Sequence, residues 1–385
     1  MVFPNIENEA CARFFCPRFS LINKGLLACM NIRESTRRYE DWMRSCAPVV
    51  EKHLRNKHTK MEEDPFQFFR GSYYRWAELW REVCSESHDA PIVLSVGDLH
   101  VDSFGTWRDA EGRLCWGVDD FDEAWPLPYT NDLIRLVTSA KIARKTGLLK
   151  LKTKTVCEVV LEAYEYTLRN RGCPIVLAEE ERNLEKLGIA ALKAPKGFWE
   201  KLNAHPSING NMPADARECL RKILPDSIRF KVIRREAGLG SLGQQRFVAL
   251  AEYHGGFIAR EIKRVLPSAS FWLTRRTGQY QTYYETIMER SVRSHDPFQK
   301  ISTCWIVRRL SPDSNPIHLE ELDGERDEET LLYAMGTETA NVHLGQLRAR
   351  RTILADLNRR GRGWLGKAAK RMAKRILAEW EEFRE

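Results

Sequence analysis

Two acidic segments constrain this chain more than any other feature. Residues 97–105 read GDLHVDSFG and residues 119–124 read DDFDEA, which places Asp98, Asp102, Asp119, Asp120 and Asp122 close together in sequence with His100 and Ser103 among them. Between the two lies a hairpin pattern, FGTWR, a DAEG turn and RLCWGVD. A hairpin folds its two ends back towards each other, so the acids are expected to converge. Carboxylates brought together repel unless a cation neutralises them. Hard oxygen donors of this kind suit Mg²⁺, which takes one or two carboxylates and completes its shell with water and phosphate. One acid can then hold metal while another accepts the proton of an attacking hydroxyl.

The rest of the composition narrows the class. The 385 residues carry 61 Lys and Arg against 53 Asp and Glu, a net charge of +8, which fits anionic ligands without requiring nucleic acid. With 43% hydrophobic and 30% charged residues the chain reads as a globular protein of one large domain or two lobes. No apolar run is long enough to span a membrane, and the first residues lack the basic and apolar regions of a signal peptide. The ten cysteines include no CxxC pair, so free thiols in a reducing cytoplasm are the expectation.

Local patterns place the remaining candidates. Helices are expected over Ile32 to Arg55, within Phe66 to Val83, from Asn131 or Asp132 to Gly147 with Leu133, Leu136, Val137 and Ala140 on one face, and over Val156 to Leu168. From Phe230 the pattern changes to an antiparallel three-stranded meander, FKVIRREA, QRFVALAEY and FIAREIKRV. Its first turn is GLGSLG, where Gly238, Gly240, Ser241 and Gly243 let backbone amides face phosphate oxygens. A Gly-rich turn joining two strands is the protein-kinase arrangement and not that of a Walker loop or a dinucleotide fold. Lys263 shares a strand face with Phe257, Ala259, Glu261 and Val265, from which an amine can grip phosphates. Glu285 and Glu289, one turn apart in a helix expected over Tyr280 to Arg293, are the candidate partners for Lys263. CWIVRRL at 304–310 reads as a further strand, and Leu331 to Leu347 and the stretch after Gly363 as helices.

GDLHVDSFG followed by VDDFDEA resembles the catalytic loop and metal-binding segment of aminoglycoside-phosphotransferase-like kinases, and YTNDLIRLVTSAKIA resembles the helix after it, in which an aspartate, here Asp132, braces the loop. The wider set is similar to the bacterial family called domain of unknown function 2252. That set comprises FFRGS, GDLHVDSFG, DDFDEA, GLGSLG, the strand lysine, HDPF at 295–298, WIVRRL and the helix containing NVH. The resemblance implies an α+β, protein-kinase-like two-lobed fold that is circularly permuted, because the catalytic loop precedes the Gly-rich loop. It divides the chain into an N-terminal helical segment (1–90), a catalytic and metal-binding part (91–225), a small β-rich lobe (226–315) and C-terminal helices with a basic tail (316–385).

The same resemblance implies ATP and Mg²⁺ as cofactors. Asp98 becomes the catalytic base, Asp120 the metal ligand with Asp122 assisting, and Lys263 the contact to the α and β phosphates. Cys304 to Leu310 becomes the hinge near adenine, and His100 a structural loop histidine. The family pattern HxxN is HVDS here, so Ser103 stands where a second metal ligand is expected. The leading expectation is therefore a phosphotransferase acting on a hydroxyl of a small molecule or a protein. The alternatives are a nucleotide-binding pseudokinase, which Ser103 favours, and a binder of nucleic acid or anionic surfaces through the basic stretch from Arg359 to Arg375. In that last stretch Leu365, Met372, Ile376 and Leu377 point instead to a packed helix with a solvated basic face.

Overall fold

The computed structural model describes residues 30–177, 182–190, 192–275, 282–302, 304–319, 322 and 324–385. The protein is α+β, with 53% helix and 15% strand. The described residues open with α1 (Ile32–Cys46), α2 (Glu51–Glu63), α3 (Pro65–Gly71) and α4 (Tyr73–Val83). The single helix expected from Ile32 is thus cut in two. Pro48 forbids a helical Ala47, which is extended at φ −162° and ψ 161°. Asn31 caps α1 by accepting from Glu34 N–H, and Asp64 caps α3 with Pro65 at its first position.

The two acidic segments are framed by short strands. β1 (Ile92–Ser95), β2 (Phe104–Arg108), β3 (Leu114–Val118) and β4 (Trp125–Pro128) form two antiparallel pairs, β1 with β4 and β2 with β3. The hairpin expected between the acids is present, with Phe104 opposite Val118. Pro126 and Pro128 lie within β4. α5 (Thr130–Lys145) follows and runs through the middle of the core. Leu133, Ile134, Leu136, Val137 and Ala140 are fully buried, and so are Asp132, Arg135 and Ser139. One apolar face was expected; burial all round makes α5 the central helix, whose polar residues must find internal partners.

Next come α6 (Thr153–Arg169), α7 (Arg182–Ala190), α8 (Pro195–Asn203) and α9 (Ala214–Arg221). The meander follows as β5 (Lys231–Arg234), β6 (Arg246–Tyr253) and β7 (Gly256–Arg264). Then come α10 (Ala269–Leu273), α11 (Tyr284–Arg290), β8 (Lys300–Ser302) and β9 (Trp305–Leu310). β8 and β9 extend the meander to a five-stranded antiparallel sheet in the order β5-β6-β7-β9-β8. Part of the helix expected from Tyr280 lies outside the described residues.

The chain closes with α12 (Glu325–His343), α13 (Arg350–Arg359) and α14 (Trp364–Arg384). α12 packs closely on α6 because Gly336 has no side chain; a Cβ there would stand 2.6 Å from the Val160 carbonyl. α14 lies against α5 and against the helices at the start of the described chain. Its Glu379 and Glu78 of α4 enclose Arg75, all three nearly without exposure, in bonds of 2.8 Å. No helix among the described residues is long and apolar enough to cross a membrane. No disulfide joins the seven described cysteines.

Candidate functional site

The loop after β1 is built from α5. Asp132 accepts from Val96 N–H (2.7 Å) and Gly97 N–H (3.0 Å), and its Oδ2 meets His343 Nε2 of α12 at 3.0 Å. His343 Nδ1 in turn meets the Tyr164 hydroxyl at 2.7 Å. Ser139 accepts from Val101 N–H. Gly97 has φ +82°, and a side chain there would run into the Glu123 carbonyl and the Tyr73 hydroxyl. Gly97→Ala combines left-handed strain with that collision, so we expect a loss of at least about 2 kcal/mol in stability, read as a lower urea midpoint.

The loop turns on itself through Ser103, whose hydroxyl donates to the Asp98 carbonyl (3.1 Å) and accepts from His100 N–H (2.9 Å). Ser103 thus braces the loop, its hydroxyl making one donated and one accepted bond and keeping one lone pair. Asp102 pairs with Arg70 of FFRGS at 2.9 Å. His100 Nδ1 accepts from Asp102 N–H (3.2 Å), and burial, with Arg70 and Arg135 nearby, holds its ring neutral with a pKa well below the ordinary value. The residue lies within the loop as expected of a structural histidine.

Asp98 projects from this loop. Arg135 Nε donates to its Oδ1 at 2.8 Å and Nη2 donates to the same oxygen. Arg135 has no exposure and lies over the rings of Phe69 (4.1 Å), Tyr73 and Trp76 (4.9 Å each). Burial raises the Asp98 pKa and Arg135 opposes the rise. Its other oxygen, Oδ2, faces the Gly-rich turn, where a Cβ on Gly240 would stand 3.6 Å away. The turn is held from the N-terminal side: Lys57 donates to the Gly240 carbonyl (3.2 Å) and Val50 N–H donates to the Gly243 carbonyl (2.7 Å). Gly238 (φ +72°) and Gly243 (φ +102°) have the left-handed backbone that favours glycine.

Asp120 and Asp122 follow the hairpin, whose paired ends bring Asp120 near enough to Asp98 to oppose its ionisation. Lys263 donates to Asp120 at 3.1 and 3.2 Å and to Asp122 at 2.6 Å. One amine therefore serves two carboxylates. Burial and the neighbouring Asp120 push the Asp122 carboxyl up to about 6. Burial also works against the Asp120 anion, but Lys263 and Arg308 outweigh it and keep the carboxyl below its usual value. Asp122 Oδ1 is buried without a hydrogen-bond partner. The pair expected between Lys263 and Glu285 or Glu289 does not form. Both glutamates are exposed on α11, and the lysine is already satisfied by the two aspartates.

These parts enclose one cavity of about 400 Å³. Asp98, Asp120, Asp122 and the Gly238–Ser241 turn are on its wall, as are Leu310 and Asn315. The end of β9 and the segment after it thus border the cavity where a hinge was expected. Lys263 is set back from the wall, behind its two aspartates.

Sequence reasoning missed a second cluster. Glu261, almost without exposure, receives Arg235, Arg246 Nη1 (2.8 Å) and Arg308 Nε (2.9 Å). Burial opposes its charge, but the arginines, led by Arg246, hold its pKa well below the ordinary value. Arg246 Nη2 also donates to the Ser241 hydroxyl (2.8 Å) and so props the turn. The signal was an acid on the otherwise apolar strand face of Lys263. Arg135 had a signal too, being a cation inside an apolar helical run, whereas nothing local marked Lys57.

Two carboxylates sharing one ammonium carry excess negative charge and suit a hard cation. The unpartnered Asp122 oxygen fits such a ligand. Among the described residues no group of three or more His, Cys, Asp or Glu could hold a metal ion alone, so further ligands would have to come from water or a bound anion. A family model described as an uncharacterized protein conserved in bacteria (DUF2252) matches residues 49–190. The match takes in Asp98, Asp120, Asp122 and Asp132 and stops before the Gly-rich turn and Lys263. No curated protein and no solved structure matches the chain.

Proposed function

We propose that the chain is an ATP- and Mg²⁺-dependent phosphotransferase with a circularly permuted, protein-kinase-like fold, working in the cytoplasm on a hydroxyl of a small molecule or a protein. One observation carries the reading: Asp98 and the paired Asp120 and Asp122 meet the turn Gly238–Ser241 across a single cavity. In this reading residues 226–315 are the small nucleotide-binding lobe, and the helices on either side of them in sequence form the large one. Asp98 Oδ2 accepts the hydroxyl proton while Arg135 fixes Oδ1, so the acceptor oxygen bonds to phosphorus as the bond to ADP breaks. Asp120 and Asp122 would hold Mg²⁺, which when bound neutralises the phosphate charge. The work is positioning and electrostatics, as phosphoryl transfer requires.

Titration calorimetry with ATP, with and without Mg²⁺, tests the binding half of this reading. ATP consumption against a panel of hydroxylated metabolites tests the chemical half. Absence of ATP affinity would end the proposal. A second reading, a nucleotide-binding pseudokinase, draws on the bracing bonds of the Ser103 hydroxyl and the Asp102–Arg70 pair, which engage both residues in holding the loop. Micromolar ATP affinity with no consumption and no transfer of AMP would establish it. The surface-binding alternative is weaker. Leu365, Met372 and Ile376 of α14 are buried, and Arg371 and Arg375 are paired with Glu86 and Glu379.

A further inference from the structure

Lys263 was the expected phosphate ligand, yet its amine is turned towards Asp120 and Asp122 and its side chain is 7% exposed. Phosphate needs cations that face the cavity. The Glu261 cluster has them. Three guanidinium groups share one carboxylate there, and the next nearest acid, Asp119, stands 3.6 Å from Arg308 Nη1. Arg235, Arg246 and Arg308 are all on the cavity wall, beside the Gly-rich turn. Arg246 is 5% exposed and committed to Glu261 and Ser241, whereas Arg235 and Arg308 are about 30% exposed, at 31% and 30%. An arginine presents a planar fork of donors that matches phosphate oxygens, and one edge can stay on Glu261 while the other turns outward.

We infer that Arg235 and Arg308, held by Glu261, form a polyphosphate-binding cage that takes over the role expected of Lys263. The inference deepens the nucleotide reading and rests on it for the identity of the ligand. It also divides the labour in the cavity. The arginine wall attracts the anion, the aspartate wall attracts the metal that accompanies it, and Lys263 keeps the two aspartates from repelling each other. Arg246 supports the turn from below and is not a ligand.

The test is calorimetric titration with inorganic tripolyphosphate in the absence of metal, and in parallel with ATP and Mg²⁺. Arg308→Gln and Arg235→Gln are each expected to weaken tripolyphosphate binding by roughly tenfold to a hundredfold. Arg308→Lys should fall between wild type and Arg308→Gln. Lys367→Gln, which removes an equal charge from the exposed face of α14, should change nothing. Arg308→Gln leaves Glu261 with two arginines, so its fold should survive, and a melting curve confirms this before titration.

Full affinity in both glutamine variants, with affinity lost in Lys263→Ala, overturns the cage. Arginine-dependent binding of tripolyphosphate without any binding of ATP keeps the cage and removes the nucleotide reading. ATP binding indifferent to both arginines keeps the nucleotide reading and removes the cage. A wild-type protein that binds neither removes both.

Discussion

Asp98→Asn is expected to keep ATP affinity within about threefold of wild type and to lose turnover by roughly 10³-fold or more. Asparagine matches the carboxylate in shape, and its oxygen can still accept from Arg135, so the loop keeps its course. What disappears is the basic oxygen facing Gly240, and loss of a positioned general base typically costs 10² to 10⁴ in rate. Arg135 then lacks its counter-ion while remaining wholly buried. Some stability is lost for that reason, and the assay belongs well below the variant's melting temperature. Undiminished turnover would show that Asp98 takes no proton, whatever else binds in the cavity.

The largest structural effect is expected from Arg75→Ala. The guanidinium donates twice to Glu379 and once to Glu78, each at 2.8 Å, and once to the Met30 carbonyl at 2.9 Å. Removing it leaves Glu78 with only the Ser35 hydroxyl and Glu379 with only Arg375, and breaking a buried pair from one side costs about 3–5 kcal/mol. Against the marginal stability of a typical domain that is a large fraction. A urea titration should show it as a lower midpoint with an unchanged slope. Combining Arg75→Met with Glu78→Leu and Glu379→Leu should recover most of the loss, because it is the unpaired charge and not the missing contact that destabilises. A midpoint for Arg75→Ala equal to wild type would mean that water reaches the cluster.

The loops were far more legible in the sequence than their partners. GDLHVDSFG, DDFDEA and GLGSLG stand out because glycine and aspartate at fixed offsets serve backbone geometry and charge, which are local properties. The place of Asp132 near a helix start marked it only as a cap; its bracing of Val96 and Gly97 was implied by the likeness of its helix to that of known kinases. The pairing of Lys263 was not. Glu285 and Glu289 have the spacing of a helix face, but α11 turns that face to solvent, whereas the β6–β7 register sets Arg246 opposite Lys263 and the β7–β9 register sets Arg308 opposite Glu261. Such cross-chain choices depend on which of several acids the tertiary fold brings nearest, and no local pattern encodes that. Arg135 shows the same limit: a cation in an apolar run announces a buried partner without saying that it is Asp98. The break at Ala47 was legible in principle, since Pro48 was in view and only the apolar period argued for continuity.

Trp380 donates to the Met61 carbonyl, and Phe383 packs beside Phe68 and His58, so the last turns of α14 complete the packing of α2 and α3. A ribosome delivers these partners far apart in time, with Glu379 following Arg75 by 304 residues. The early helices leave the exit tunnel with apolar faces that stay uncovered until α14 has been made. Ribosome stalling before codon 364 should therefore yield an aggregation-prone product even though every residue lining the cavity has already been made.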